Sequence, residues 1–117
     1  MLAADSMRLS GRPGDALGYL DRVVEHHRKD ARAPLAMFTR GRVLSKLGRP
    51  REAAQAFSKV PELGSKRSLT EDALAREVES WHRSGVSARA RSRAQDYLDA
   101  YPRGVHAQAV RSYGGID

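Results

Sequence analysis

The side chains with chemical potential in this chain are mostly cations. The run "SARARSRA" sets Arg89, Arg91 and Arg93 at alternate positions, with Arg83 shortly before, and a second group holds Arg40, Arg42, Lys46, Arg49 and Arg51. Lys and Arg number 21 against 14 Asp and Glu, for a formal net charge of +7. That balance suits an acidic partner: nucleic acid, anionic lipid or an acidic peptide. Either cluster has the charge to meet phosphates. Against nucleic acid, no aromatic residues interleave with the arginines as they do in single-strand binders. No recognition helix stands apart from the rest of the pattern. On a helix Arg89 and Arg93 share a face and Arg91 does not, which is also how a solvated helix surface reads.

Catalytic and metal-binding constellations are not found. His26 and His27 are adjacent, so on a helix they point about 100° apart and chelate one ion poorly. His82 and His106 are isolated, and Glu77 and Glu79 lie two apart and face different ways. "GRPGDALG" is glycine-rich but lacks the G-x-G-x-x-G order and a preceding strand. P-loop, H-E-x-x-H and G-x-S-x-G motifs are absent. With no cysteine, thiolate metal sites, disulfides and Cys nucleophiles are excluded. The expectation is a protein that is not an enzyme and has no cofactor or metal.

What positions the cations is a repeat. "SGRPGDA" and "LGRPREA" carry Gly11 and Gly48, and Gly85 follows, each 37 residues from the last. A fixed interval of this size marks a repeat architecture. The composition, 40% hydrophobic and 30% charged, is globular, and its Ala, Leu and Arg favour helix over strand. Each unit reads as helix, turn, helix. In the middle unit Pro34 sits in a first helical turn, Met37, Gly41 and Leu44 follow at helical spacing, and Gly48 stops the helix. Pro50 restarts the chain, and Ala53, Ala56, Phe57 and Val60 share the next buried face. Pro61 and Gly64 end that helix. In the third unit Ser68 and Glu71 have capping-box spacing, Leu74, Val78 and Trp81 form the stripe, and Gly85 stops it. Ser87 is the expected cap of a helix burying Ala90, Ala94, Tyr97 and Leu98. The first unit has Leu2, Ala3 and Met7, then Ala16, Leu20 and Val23. The boundaries fall at residues 1–30, 31–66 and 67–103, with a terminal helix at 104–113.

These residues resemble the tetratricopeptide repeat family, whose signature is Trp-x2-Leu-Gly-x2-Tyr, then Ala-x3-Phe, then Pro. The middle unit offers Met37, Arg40, Gly41, Leu44, Ala53, Phe57 and Val60. The third offers Leu74, Glu77, Val78, Trp81, Ala90, Ala94, Tyr97 and Pro102. Arg40 and Glu77 stand where an apolar residue is usual, and the interval exceeds the family's ~34 residues. The ending "DYLDAYPRGVHAQAVR" is similar to units of bacterial outer-membrane assembly lipoproteins, periplasmic cell-division coordinators and sigma-factor regulators. The resemblance implies an all-α, right-handed superhelical stack of about three helical hairpins plus a last helix. It also implies a bacterial protein-interaction scaffold, in cytoplasm or periplasm according to the parent protein, of which this chain is read as a piece.

In that family the first helix of each unit lines a concave groove. Lys46 and Arg83 each stand two residues before a turn glycine, Ser45 matches His82, and Arg42 matches Glu79 one turn earlier. Phe38 lies a turn before Arg42. The groove set is therefore Phe38, Arg42, Ser45, Lys46, Glu79, His82 and Arg83, and the implied partner is a protein or peptide of acidic character. Two other readings remain: a nucleic-acid-binding module, and a structural spacer that self-associates through terminal helices with exposed apolar faces. No apolar run is long enough to span a membrane.

Overall fold

The structure, a computed structural model, describes residues 13–117; the readings placed on Leu2, Ala3, Met7 and Gly11 lie outside them. Six helices follow in order among the described residues: α1 (Pro13–His26), α2 (Arg32–Lys46), α3 (Pro50–Lys59), α4 (Arg67–Arg83), α5 (Ser87–Ala100) and α6 (Ala107–Gly114), with a 3-10 turn at Pro61–Leu63 between α3 and α4. No strand is present among the described residues, so the all-α expectation holds. Each helix packs on the next, and α6 also reaches back to α4. None is long and apolar enough to cross a membrane.

The two glycine turns are built alike. After α2, the Gly48 N–H donates to the Ser45 carbonyl at 3.1 Å and the Arg49 N–H to the Leu44 carbonyl at 3.0 Å. After α4, Gly85 and Val86 repeat the pattern onto His82 and Trp81, both at 3.0 Å. This is the six-to-one closure that satisfies orphan carbonyls at a helix end. It requires a left-handed residue, and Gly48 and Gly85 have φ of 73° and 79°. The helix ends therefore match at the 37-residue interval, Lys46 with Arg83, whereas the starts, Arg32 and Arg67, are 35 apart. Helix α4 is longer at its front.

The expected caps are corrected. Helix α4 begins at Arg67 after Lys66, with no side-chain cap, so Ser68 lies inside the first turn and makes no capping box with Glu71. Glu71 instead accepts from the Tyr97 hydroxyl at 2.7 Å and the Val105 N–H at 3.2 Å. Beside it the His106 imidazole meets Asp72 at 2.6 Å. These two carboxylates at the start of α4 hold the α5–α6 link. A Cβ on Gly104 would strike the Tyr97 hydroxyl and the Glu71 carboxylate. Burial, then the hydrogen bond to Glu71, pushes the Tyr97 phenol up to about 12. Ser87 likewise opens α5 as a helical residue, with Val86 before it and no side-chain cap.

The predicted stripes are buried. Leu44, Ala53, Ala56 and Phe57 pack together between α2 and α3, and Leu74, Val78, Ala94, Tyr97 and Leu98 join Val110 between α4, α5 and α6. In α1, Val24 rather than Val23 belongs to the buried set with Ala16 and Leu20. Burying a side chain of Leu or Phe size stabilises by about 1.5–3 kcal/mol, so these faces hold the hairpins together. Gly41 is buried because Phe57 needs its place: a Cβ there would lie 2.6 Å from the ring.

Glu77 is only 3% exposed, and its charge is compensated. It accepts from the Trp81 indole N–H at 2.9 Å and from the Arg93 Nε at 3.0 Å. Burial works against the Arg93 cation, but hydrogen bonds and charge from Glu77, then Asp96, outweigh it and hold its pKa up. Arg40, the other departure from an apolar pattern, pairs with Asp21 of α1 at 2.7 Å.

Candidate functional site

The C-terminal ends of α2 and α4 face each other across a cleft of about 270 Å³. Helix α2 contributes Arg42, Ser45 and Lys46, at helical spacings of three and four. Helix α4 contributes Arg76, Glu79, Ser80 and Arg83 at the same kind of spacing, and Phe57 of α3 forms the floor. Both sets lie on one helix face because residues three, four and seven apart do so.

Five of the seven expected groove residues line this cleft: Arg42, Ser45, Lys46, Glu79 and Arg83. The other two are placed elsewhere. Phe38 is half-buried, its ring edge-on to Phe57 with centroids 5.4 Å apart. The Arg76 guanidinium covers its other side at 5.5 Å, so Phe38 supports the floor rather than opening onto the cleft. His82 turns toward α6 and stacks near Tyr113 at 5.4 Å. Position for position it matches Ser45, and it stays exposed beside α6.

Arg76 was not in the expected set. The signal was present in the sequence: Arg76, Glu79 and Arg83 are a three-and-seven series on one helix. Aligning the two units by their turns paired Ala75 with Phe38 and drew attention one residue away.

The cleft is electropositive. Four cations line it against one carboxylate, Glu79. Glu79 is already committed to Arg83 at 2.7 Å. That pair is partly exposed and of the kind worth about 0.2–1 kcal/mol, so it leaves the Arg83 guanidinium readily redirected. Arg42 and Lys46 have no ion pair among the described residues, and Arg76 has only its ring contact. The hydroxyls of Ser45 and Ser80 complete the wall; the Ser80 hydroxyl donates to the Arg76 carbonyl at 2.7 Å. Such a surface can hold carboxylates by charge and by charge-assisted hydrogen bonds.

The arginine run on α5 is arranged differently. Arg89 lies over the Trp81 ring at 4.9 Å, Arg91 donates to the Gly115 carbonyl at 2.8 Å, and Arg93 is held by Glu77 and Asp96. Arg89 and Arg93 line one hollow with Trp81 and Glu77, while Arg91 turns away to the end of α6. Among the described residues no group of three His, Cys, Asp or Glu is placed to hold a metal.

No family model, curated protein or solved structure matches the chain.

Proposed function

We propose that the chain is a tetratricopeptide-like, non-catalytic interaction module that receives an acidic peptide segment in the α2/α4 cleft. The observation that carries this reading is the cleft's charge: four cations, three of them without an ion pair among the described residues, against one carboxylate that is already paired. The matched turns at Gly48 and Gly85 support the repeat reading, since they bring Lys46 and Arg83 to equivalent helix ends. Long-range attraction between such a cleft and an acidic segment raises the association rate and makes binding salt-dependent.

The rival readings gain no specific support. Of the two basic groups, the arginines of α5 make contacts within the fold, whereas Arg42 and Lys46 of the other line the cleft, where nucleic acid is the alternative occupant. Large exposed apolar side chains among the described residues are Leu35, Leu47 and Val105, and none lies on α6. The outward residues of that helix are Gln108, Ala109, Arg111 and Ser112, and the helix expected at the other end of the stack lies outside the described residues.

The test is a calorimetric titration of a hexaglutamate peptide, with hexalysine as control, at two salt concentrations. Binding is expected only for hexaglutamate and weaker at high salt. The Lys46→Ala, Arg83→Ala double variant is expected to lose about tenfold or more in affinity, the loss of two partly exposed charge contacts, with unchanged helix content. Equal binding by the double variant and the parent chain would overturn the assignment to this cleft.

A further inference from the structure

A second hollow lies at the opposite ends of the same two helices. Its walls come from Lys29 ahead of α2, Pro34 and Leu35 on α2, Leu63 of the 3-10 turn, Lys66 ahead of α4 and Leu69 on α4, and it encloses about 490 Å³. That exceeds the cationic cleft and falls within the ~300–1,000 Å³ of small-molecule sites, which combine apolar walls with a few placed polar groups. Leu35 is 46% exposed on the wall. Leu63 packs against the α1–α2 core, so the apolar wall is anchored to the fold rather than hung from a loop.

The charges around this hollow are unequal. Asp30 is the one carboxylate among the lining residues, and it is occupied: it accepts from the Arg32 N–H at 2.8 Å and faces the His27 imidazole at 3.1 Å. Lys29 and Lys66 are exposed and have no ion pair among the described residues. The first turn of α4, next to Lys66, holds no acidic side chain.

We propose that this pocket binds an amphipathic carboxylate of small-molecule size, its aliphatic chain laid on Leu35, Leu63 and Leu69 and its carboxylate held by Lys29 and Lys66. The apolar walls supply affinity in proportion to the chain length they cover. The two ammonium groups choose the sign of the head group. This site is separate from the α2/α4 cleft in place and in chemistry, so it stands or falls independently of the peptide reading.

The experiment is a leucine-methyl NMR titration of the full chain with decanoate below its micelle concentration, beside decylamine and hexanoate. Decanoate is expected to give saturable shifts at Leu35, Leu63 and Leu69. Hexanoate is expected to bind at least about tenfold more weakly because it covers fewer methylenes. Decylamine, equal in chain but opposite in charge, is expected to leave those methyls unmoved over the same range. Leu35→Asp, at an exposed position that the fold tolerates, is expected to abolish the decanoate shifts, and Lys29→Glu, Lys66→Glu to weaken them about tenfold. Equal shifts from decylamine, undiminished binding by the charge-reversed variant, or no saturable decanoate shift would each overturn the proposal.

Discussion

The junction of α2 with α4 is open, and that of α4 with α6 is closed. At the first, Phe57 stands between the helices, its ring over Gly41 and against Phe38, with the cationic cleft above it. At the second, the position matching Phe57 is Ala94, and α6 comes so near that a Cβ on Gly114 would overlap the Cβ of Ala94. The small side chain lets α6 pack directly on α4 and α5, and His82 meets Tyr113 where Ser45 meets a void. A large ring stands at the open junction and a small side chain at the closed one.

Breaking the open junction has the largest expected effect. Phe57 is 2% exposed, and its removal opens a cavity between α2, α3 and α4. Phe57→Ala is expected to lower unfolding free energy by about 3–5 kcal/mol. A urea melt checks this, and a loss below about 1 kcal/mol would show that the ring does not hold the junction. In the folded variant the cleft floor is gone, so hexaglutamate affinity is expected to fall even though no cation was touched.

The second hairpin departs from the first in another way. Arg40 and Ala56 of α2 and α3 are matched by Glu77 and Arg93 of α4 and α5, a buried carboxylate with its cation. Arg93→Met leaves the Glu77 charge with the Trp81 indole as its one side-chain donor among the described residues. The expected loss is about 2–3 kcal/mol, below the upper range for breaking a buried pair because the Arg93 side is partly exposed. Adding Glu77→Leu removes the stranded charge, so the double variant is expected to recover most of that loss. Thermal melts of the two variants check the sign. A double variant less stable than Arg93→Met alone would show that the pair stabilises beyond its own compensation.

The sequence carried the parts of this structure that depend on local backbone and on periodicity. The turns at Gly48 and Gly85, the Pro50 start and the buried stripe of α3 follow from residue types a few positions apart. Five cleft residues were legible for the same reason: Arg42, Ser45, Lys46, Glu79 and Arg83 keep fixed distances from their turns. What was not legible depends on distance between helices. Phe38 and His82 occupy the right register, yet Arg76 covers one and α6 approaches the other. Ser68 and Glu71 have capping-box spacing, but Glu71 is drawn to Tyr97 and Val105, partners far along the chain. Spacing within a helix fixes which face a side chain takes; the size of residues on the next helix fixes what it meets.

The closed junction yields the smallest expected effect and the sharpest test of that rule. Gly114→Ala adds one methyl where the Ala94 Cβ already stands, with the Ala90 carbonyl 3.4 Å away. The contact is with α5 backbone and a short side chain, so neither can swing aside, and α6 must shift. Overpacking of this kind costs about 1–3 kcal/mol. The better helix propensity of alanine returns part of it, up to about 1 kcal/mol. A net loss of about 1–2 kcal/mol is expected, confined to α6: amide exchange is to quicken at Val110 and Tyr113 while Leu44 and Phe57 stay protected. Ala94→Gly in the same chain removes the opposing methyl and is expected to restore α6 protection at its own modest helix cost. If Gly114→Ala instead leaves exchange on α6 unchanged, then the close approach is not what seals the junction, and the contrast with Phe57 must rest on the Tyr113–His82 contact.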